Sequence, residues 1–212
     1  MNFMANGLYW NLLLKGLCST VLIAVSSIIL GTILGYLVFL MTRSRKRWVQ
    51  RAAYWYKYIV RGLPVLILLL FIFYVIFSGG NGYIAAIAAF AINYSNFASA
   101  NIQSSVEAVG RDQVEAAHAL GFTRLQTIRY ITAPQAIRIA LPTVKYNAVS
   151  LLKSTSVVGY VATPDLTQAT QAIRTASGET LTPLIIATVI YFILAWLLCK
   201  GLDQLVKATN RK

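Results

Sequence analysis

Acidic residues are scarce: the 212-residue chain holds 6 Asp and Glu against 19 Lys and Arg, and it has one His. So few carboxylates and a lone imidazole leave little material for acid–base or metal-assisted chemistry, and no nucleophile–base or metal-ligand spacing stands out, so neither a catalytic group, a metal nor a cofactor is expected. The two cysteines, Cys18 and Cys199, each sit in an apolar run without CxxC spacing and read as small hydrophobes. No GxxxxGK[ST] phosphate loop is present, so the chain carries no P-loop signature for ATP. The start lacks the short basic stretch and small-residue cleavage site of a removable signal peptide, and the first apolar run is expected to stay as an anchor.

Charge of either sign is thin, at 12% against 58% hydrophobic residues, which is outside the balance of a soluble domain. The net charge of +13 raises the question of nucleic acid. The cations cluster beside apolar spans instead of lining one face among stacking aromatics, so the partner they indicate is a membrane and not nucleic acid.

Long uncharged runs dominate what is there. Residues 17–41 are apolar and are followed by Arg43, Arg45, Lys46, Arg47, Arg51 and Lys57, marking a cytoplasmic loop. No charge occurs from Gly62 to Val106, and Ser78-Gly79-Gly80-Asn81-Gly82 in its middle signals a turn, which predicts a hairpin of two spans, roughly 59–77 and 83–106. A further apolar span covers 180–199 and ends at Lys200, with Lys207, Arg211 and Lys212 beyond it. If Glu107 and this tail are both inside, the chain between must cross an even number of times. A masked span is therefore expected over 141–161, where Lys145, Ser150, Lys153, Ser154, Thr155 and Ser156 hide the hydropathy signal. The expectation is one domain over residues 1–212, an all-α integral membrane protein of five transmembrane helices, with the N-terminus outside and the C-terminus cytoplasmic. Of the basic residues, Lys15 and Arg174 fall outside on this count. Asn6 to Gly16, with Tyr9, Trp10 and Lys15, reads either as a short interfacial helix or as a loose terminus.

Residues 107–140 form the expected cytoplasmic insert. Asp112 and Glu115 have capping-box spacing, Val114, Ala117 and Leu120 recur at helical spacing, and Gly121 reads as a C-cap. Thr123 and Gln126 form a second capping box before Leu125, Ile128 and Ile131, and Pro134 is expected to interrupt that helix. Such a pair of short helices either docks on a partner or caps the end of the bundle.

Glu115-Ala116-Ala117, Gly121, Ile131 and Ala133-Pro134, at their spacing here, resemble the EAA-loop signature of binding-protein-dependent ABC importer permeases, with Ala133 where Leu is usual. Arg61-Gly62-Leu63-Pro64, Pro134-Gln135-Ala136-Ile137-Arg138 and Leu152-Lys153-Ser154-Thr155-Ser156 resemble motifs of the polar amino acid permease branch. The resemblance implies a type I ABC importer permease fold in a bacterial plasma (inner) membrane. It also implies a homo- or heterodimer with a second permease subunit, an ATP-binding cassette ATPase dimer beneath, and an extracytoplasmic solute-binding protein. In that family the helix matching Val114, Glu115, Ala116, Ala117, His118 and Leu120, with the bend at Gly121, docks on the ATPase, which hydrolyses ATP; the permease is a transport subunit, not an enzyme.

Ser95, Asn96, Ser99 and Gln103 share one helical face and are candidates to line the substrate pathway, although Ser and Asn also join membrane helices by hydrogen bonds. Lys153 and Ser154 make a second candidate patch, for which packing of a dimer interface is the other reading. The Glu and Arg usual in the third span of the branch fall on Ala100 and Gln103, and the usual Asp on Ser154. A route without these charges suits a neutral or zwitterionic solute, such as an amino acid, better than a cation. His118 reads as a contact residue, and Asp165, Arg174 and Glu179 as members of a solvated outer loop. An ATP-independent channel and a membrane-embedded enzyme are the rival readings; the first has no need of the Glu-Ala-Ala element and the second lacks a reactive constellation.

Overall fold

The structure is a computed structural model describing residues 7–161 and 163–210, and among these residues every regular element is helical. Helix α1, Gly7–Thr42, runs 36 residues, about 54 Å at 1.5 Å per residue, which exceeds the ~30 Å hydrocarbon core of a bilayer. Residues 7–16 thus belong to the same helix as the expected first span and are neither a separate interfacial helix nor a loose end, because Tyr9 and Leu13 are buried against Leu166 and Ile173. Asn6 lies outside the described residues.

The basic segment after α1 is not a loop. Arg47–Gly62 forms helix α2, whose apolar residues recur at helical spacing. It stops where Leu63 turns extended ahead of Pro64, as a residue before proline favours. Val65–Phe71 (α3) continues through a π-helical turn, Ile72–Ile76, and the α2 and α3 axes meet at 108°. The expected second span is therefore split: residues 59–62 belong to α2, and the straight part, 65–76, is only about 18 Å long.

Ser78 and Gly79 take positive φ in the following turn, and the Asn81 side chain accepts from the Tyr83 and Ile84 amides to open α4, Gly82–Ala108. Helices α5 (Arg111–Ala119) and α6 (Arg124–Thr127) come next. Pro134 does not interrupt the chain's helical course. A π-helical turn over Ile128–Thr132 precedes it, Pro134 sits in the first turn of α7 (Ala133–Ser154), where a missing N–H costs little, and α7 runs on through Pro142. A 3₁₀ turn, Thr155–Val161, follows, and then α8, Leu166–Ser177, occupies what reads in sequence as a solvated loop. Helix α9, Leu181–Asn210, is 30 residues long and continues beyond residue 199; Arg211 and Lys212 lie outside the described residues.

The main core gathers Ile23 and Ala24 of α1, Leu68 and Leu69 of α3, Ala85, Ala86, Ala89 and Phe90 of α4, and Leu151, Leu152, Val158 and Val161 from α7 and its 3₁₀ extension. Its most extensive seam is between α1 and α4. A Cβ on Gly35 would stand 2.6 Å from the Ala98 Cβ and 2.8 Å from the Ser95 carbonyl, so only glycine lets the two backbones approach this closely. Among the described residues, two helices are long and apolar enough to cross a membrane unaided, within Gly7–Thr42 and Leu181–Ala208, and the bent α2–α3 pair makes a third if it counts as one span. Asn93, Asn96 and Asn101 in α4, and Arg138, Lys145 and Asn147 in α7, dilute the apolar character of those two helices.

Candidate functional site

Helix α5 is a nine-residue rod held at both ends. At its start Gly110, with φ +83°, occupies the cap position without a side-chain acceptor, so the Asp112–Glu115 capping box does not form. Asp112 lies in the first turn instead, where its charge complements the helix dipole. At the other end Gly121 takes φ +82°. Its amide donates to the His118 carbonyl at 3.0 Å, and the Phe122 amide donates to the Ala117 carbonyl at 3.0 Å. This is a Schellman closure, which needs a left-handed residue at the position of Gly121. The His118 Nδ1 lies 3.2 Å from the Phe122 carbonyl oxygen and braces the same corner. The Thr123–Gln126 capping box then starts α6.

Two side-chain contacts anchor the element. Ala117 is buried, and the Gln135 amide donates to Gln113 Oε1 at 2.6 Å, tying α7 to α5. Val114 is half-buried, while Glu115, Ala116, His118 and Leu120 face out, Leu120 with 78% of its surface exposed. Leu125 and Ile128 are also exposed, so the apolar face of α6 points away from the bundle, not into it. A corner that merely covered the bundle would turn these side chains inward. It carries instead an unpartnered apolar tip on a rigid base.

The polar residues of α4 divide by burial. Ser95 and Ser99 are fully enclosed and Asn96 nearly so. The Ser95 hydroxyl donates to the Ile92 carbonyl at 2.7 Å and lies 2.6 Å from the Tyr56 hydroxyl of α2. The Asn101 amide donates to the Ala140 carbonyl of α7 at 3.1 Å, a helix-joining contact that the sequence pattern alone does not single out. Gln103 is half-exposed, accepting from Lys57 Nζ at 3.3 Å and donating to Glu107 Oε1 at 3.1 Å. Lys153 is exposed and Ser154 half-exposed at the end of α7, where the Ser154 hydroxyl donates to the Ser150 carbonyl. Ser95 and Ser99 thus stand in the seams with α1 and α2, whereas Gln103, Lys153 and Ser154 reach the outside of the chain.

Asp165 departs most from expectation. It is fully buried as the N-cap of α8, its Oδ1 accepts from the Gln168 amide at 2.8 Å, and its Oδ2 has no partner. Burial raises its carboxyl above the usual range, against the lowering effect of hydrogen bonds from Gln168 and Thr167. The Thr20 hydroxyl accepts from the Leu166 amide beside it, so this corner joins α1 to α8. Arg174 is half-buried and bonds Gln171 at 2.8 Å, and Glu179 is exposed. Among the described residues no three His, Cys, Asp or Glu side chains gather as metal ligands.

Comparison with known proteins gives this geometry its context. The family described as binding-protein-dependent transport system inner membrane component matches residues 27–212. A probable amino-acid ABC transporter permease protein, YckA of Bacillus subtilis (strain 168), is 30% identical over 194 residues, covering 88% of this chain and 82% of its own. The L-cystine transport system permease protein TcyB of the same organism is 30% identical over 195 residues, covering 90% and 83%. A crystal structure of an amino acid ABC transporter with histidines superposes with a TM-score of 0.89 at 28% identity, covering 98% of this chain and 99% of the other. The chain is a multi-pass inner-membrane protein and a transport component, not an enzyme, and it belongs to the family of binding-protein-dependent transport system inner membrane components.

Proposed function

We propose that this chain forms half of the translocation pore of an ATP-driven importer for a small polar solute, an amino acid or related zwitterion. The spans are residues 17–41, the part of 59–77 that follows the Leu63–Pro64 bend, 83–106, 141–161 and 180–199, with the N-terminus outside and residues 107–140 in the cytoplasm. Helix α5 with its Gly121 corner docks on a separate ATP-binding cassette ATPase. The observation that carries this reading is the exposed tip: Leu120, Leu125 and Ile128 stand clear of the bundle, and a push on α5 passes through its packing on α6 and the π-helical turn and through the Gln113–Gln135 bond into α7. ATP closes the paired ATPases, and α5 transmits that movement to the spans. A second permease subunit completes the pore, and an extracytoplasmic binding protein delivers the solute.

The relatives named for amino acids and cystine support the solute class. So does the absence of charge at Ala100 and Ser154. Gln103, Lys153 and Ser154 are the pathway candidates with accessible side chains; Ser95, bonded to Tyr56 and Ile92, joins helices, whereas the enclosed Ser99 hydroxyl has no partner, and Asn96 lies beside them.

The test is uptake of a panel of labelled amino acids into vesicles containing the reconstituted complex. The reading expects transport that requires ATP, ATPase and binding protein, with neutral amino acids preferred over arginine and lysine. Equal flux without ATP would support a channel.

A further inference from the structure

Helix α2 is divided lengthwise into three stripes. Val49, Ala53, Tyr56 and Val60 turn inward, with Ala53 and Val60 buried. Trp48, Ala52, Trp55 and Ile59, at the same helical spacing, are exposed and apolar. Arg47, Arg51, Tyr54, Tyr58 and Arg61 form an exposed cationic stripe beside them. Tyr54, Trp55 and Tyr58 pack on one another across the border of the outer stripes, with ring centroids 5.9 to 6.4 Å apart. Arg43, Arg45 and Lys46 extend the positive charge toward α1, and no acidic residue precedes Glu107. Among the described residues the one ion pair is Lys145–Asp203, so no carboxylate among them forms an ion pair with these cations.

Both ends of α2 are tied to apolar helices: α1 ends at Thr42 and α3 begins at Val65. The 108° bend turns α2 across the direction of α3, so with α3 crossing the membrane, as proposed above, α2 runs near the plane of the membrane and not through it. A helix with a tryptophan flank next to an arginine flank is matched to the boundary between acyl chains and anionic headgroups. Each Lys or Arg near an anionic surface contributes about 1 kcal/mol, or roughly fivefold in affinity.

We propose that α2 is a binding site for anionic phospholipid, with Trp48, Trp55 and Ile59 inserted at headgroup depth and Arg47, Arg51 and Arg61 on the lipid phosphates. This rests on the chain being a membrane protein and stands whether or not α5 docks on an ATPase. Its ligand is a lipid of net negative charge, such as phosphatidylglycerol, and the partner ATPase is the competing occupant of the cationic stripe.

The full complex is reconstituted into nanodiscs of mixed phosphatidylglycerol and phosphatidylcholine, and the lipids retained on release are identified by native mass spectrometry. The wild type is expected to retain phosphatidylglycerol at least about tenfold above its bulk ratio. Arg47→Gln/Arg51→Gln/Arg61→Gln brings retention to near the bulk ratio, the corresponding triple Lys variant keeps the preference, and Arg124→Gln/Arg129→Gln on α6 and its π-helical extension leaves it unchanged. In a Trp10→Phe/Trp196→Phe background, brominated phosphatidylglycerol quenches Trp48 and Trp55 more than brominated phosphatidylcholine does, a measurement that needs no charge variant to fold. No preference in the wild type, equal quenching by both lipids, or equal loss in the α6 control overturns the proposal. A triple Gln variant that keeps its lipid preference but sheds the ATPase also overturns it and assigns the stripe to a protein partner.

Discussion

The hydroxyls of Tyr56 and Ser95 lie 2.6 Å apart, joining the middle of α2 to the middle of α4. Lys57 reaches Gln103, about two turns further along α4 in the same seam. Part of the polarity of α4 is thus spent on holding α2 in place. Tyr56→Phe and Ser95→Ala should each lower stability by about 1 kcal/mol, and the double variant should lose less than the sum. Thermal unfolding of the purified protein in detergent checks this; full additivity would mean that the pair is not coupled.

Close approach of α1 and α4 gives a sharper prediction. Gly35→Ala places a methyl 2.6 Å from Ala98 Cβ and 2.8 Å from a carbonyl oxygen, and should cost about 1–3 kcal/mol. Gly201→Ala in α9, with nothing within 4 Å of the added carbon, is the control and should be neutral. Partial recovery of the Gly35→Ala loss by Ala98→Gly would locate the clash at that contact.

At Gly121 the added side chain has room, since nothing lies within 4 Å, but φ is +82°. The expected cost is therefore conformational, about 1–2 kcal/mol for a residue with a Cβ, and larger for a β-branched one. Gly121→Val should leave the protein inserted while uncoupling ATP hydrolysis from uptake, and Gly121→Asn, which tolerates left-handed backbone, should retain more coupled transport. ATP hydrolysed per solute imported is the quantity to measure, and normal coupling in the Val variant would contradict the docking role.

Asp165 predicts a pH dependence of definite sign. Its folded carboxyl titrates above the unfolded value of about 4, so its contribution is most favourable below that pH and is lost as pH rises through the folded value. Asp165→Asn keeps a cap acceptor for the Gln168 amide without burying charge, so its unfolding temperature at neutral pH should equal or exceed the wild type and vary less with pH. Asp165→Ala loses the cap as well and should be destabilised by about 1 kcal/mol relative to Asn. Unfolding temperatures across mildly acidic to neutral pH distinguish the three.

Much of the fold was legible because membrane helices announce themselves by length and by flanking charge. The Ser78–Gly82 turn, the Thr123–Gln126 box and the Gly121 cap were readable from local chemistry, since each needs a particular side chain or a positive φ at one position. Helix α2 was hidden by its charge: six cations from Arg43 to Lys57 read as a loop, although Trp48, Ala52, Trp55 and Ile59 repeat at helical spacing. Helix α8 was hidden by small polar residues, and its signal was the Asp165 cap together with Leu166 and Ile173, seven apart on its buried face. Pro134 misled because a π-helical turn accommodates a proline that an uninterrupted α-helix would not. In the candidate site, residue type identified the corner but not its direction. That Leu120 faces outward while Ala117 faces inward is a tertiary fact. Ser95 and Ser99 show the same limit, because a hydroxyl suited to a pathway is equally suited to a helix seam.

The most direct test is site-specific photo-crosslinking from Leu120, which is 78% exposed and so can accept a photoreactive analogue without disturbing the bundle. Illumination of native membranes should join this position to an ATP-binding cassette ATPase subunit, while the same probe at Tyr160, also exposed and beyond the other end of α7, should not reach it. Crosslinks from Leu120 only to lipid or to other parts of this chain, with the ATPase present, would contradict the account.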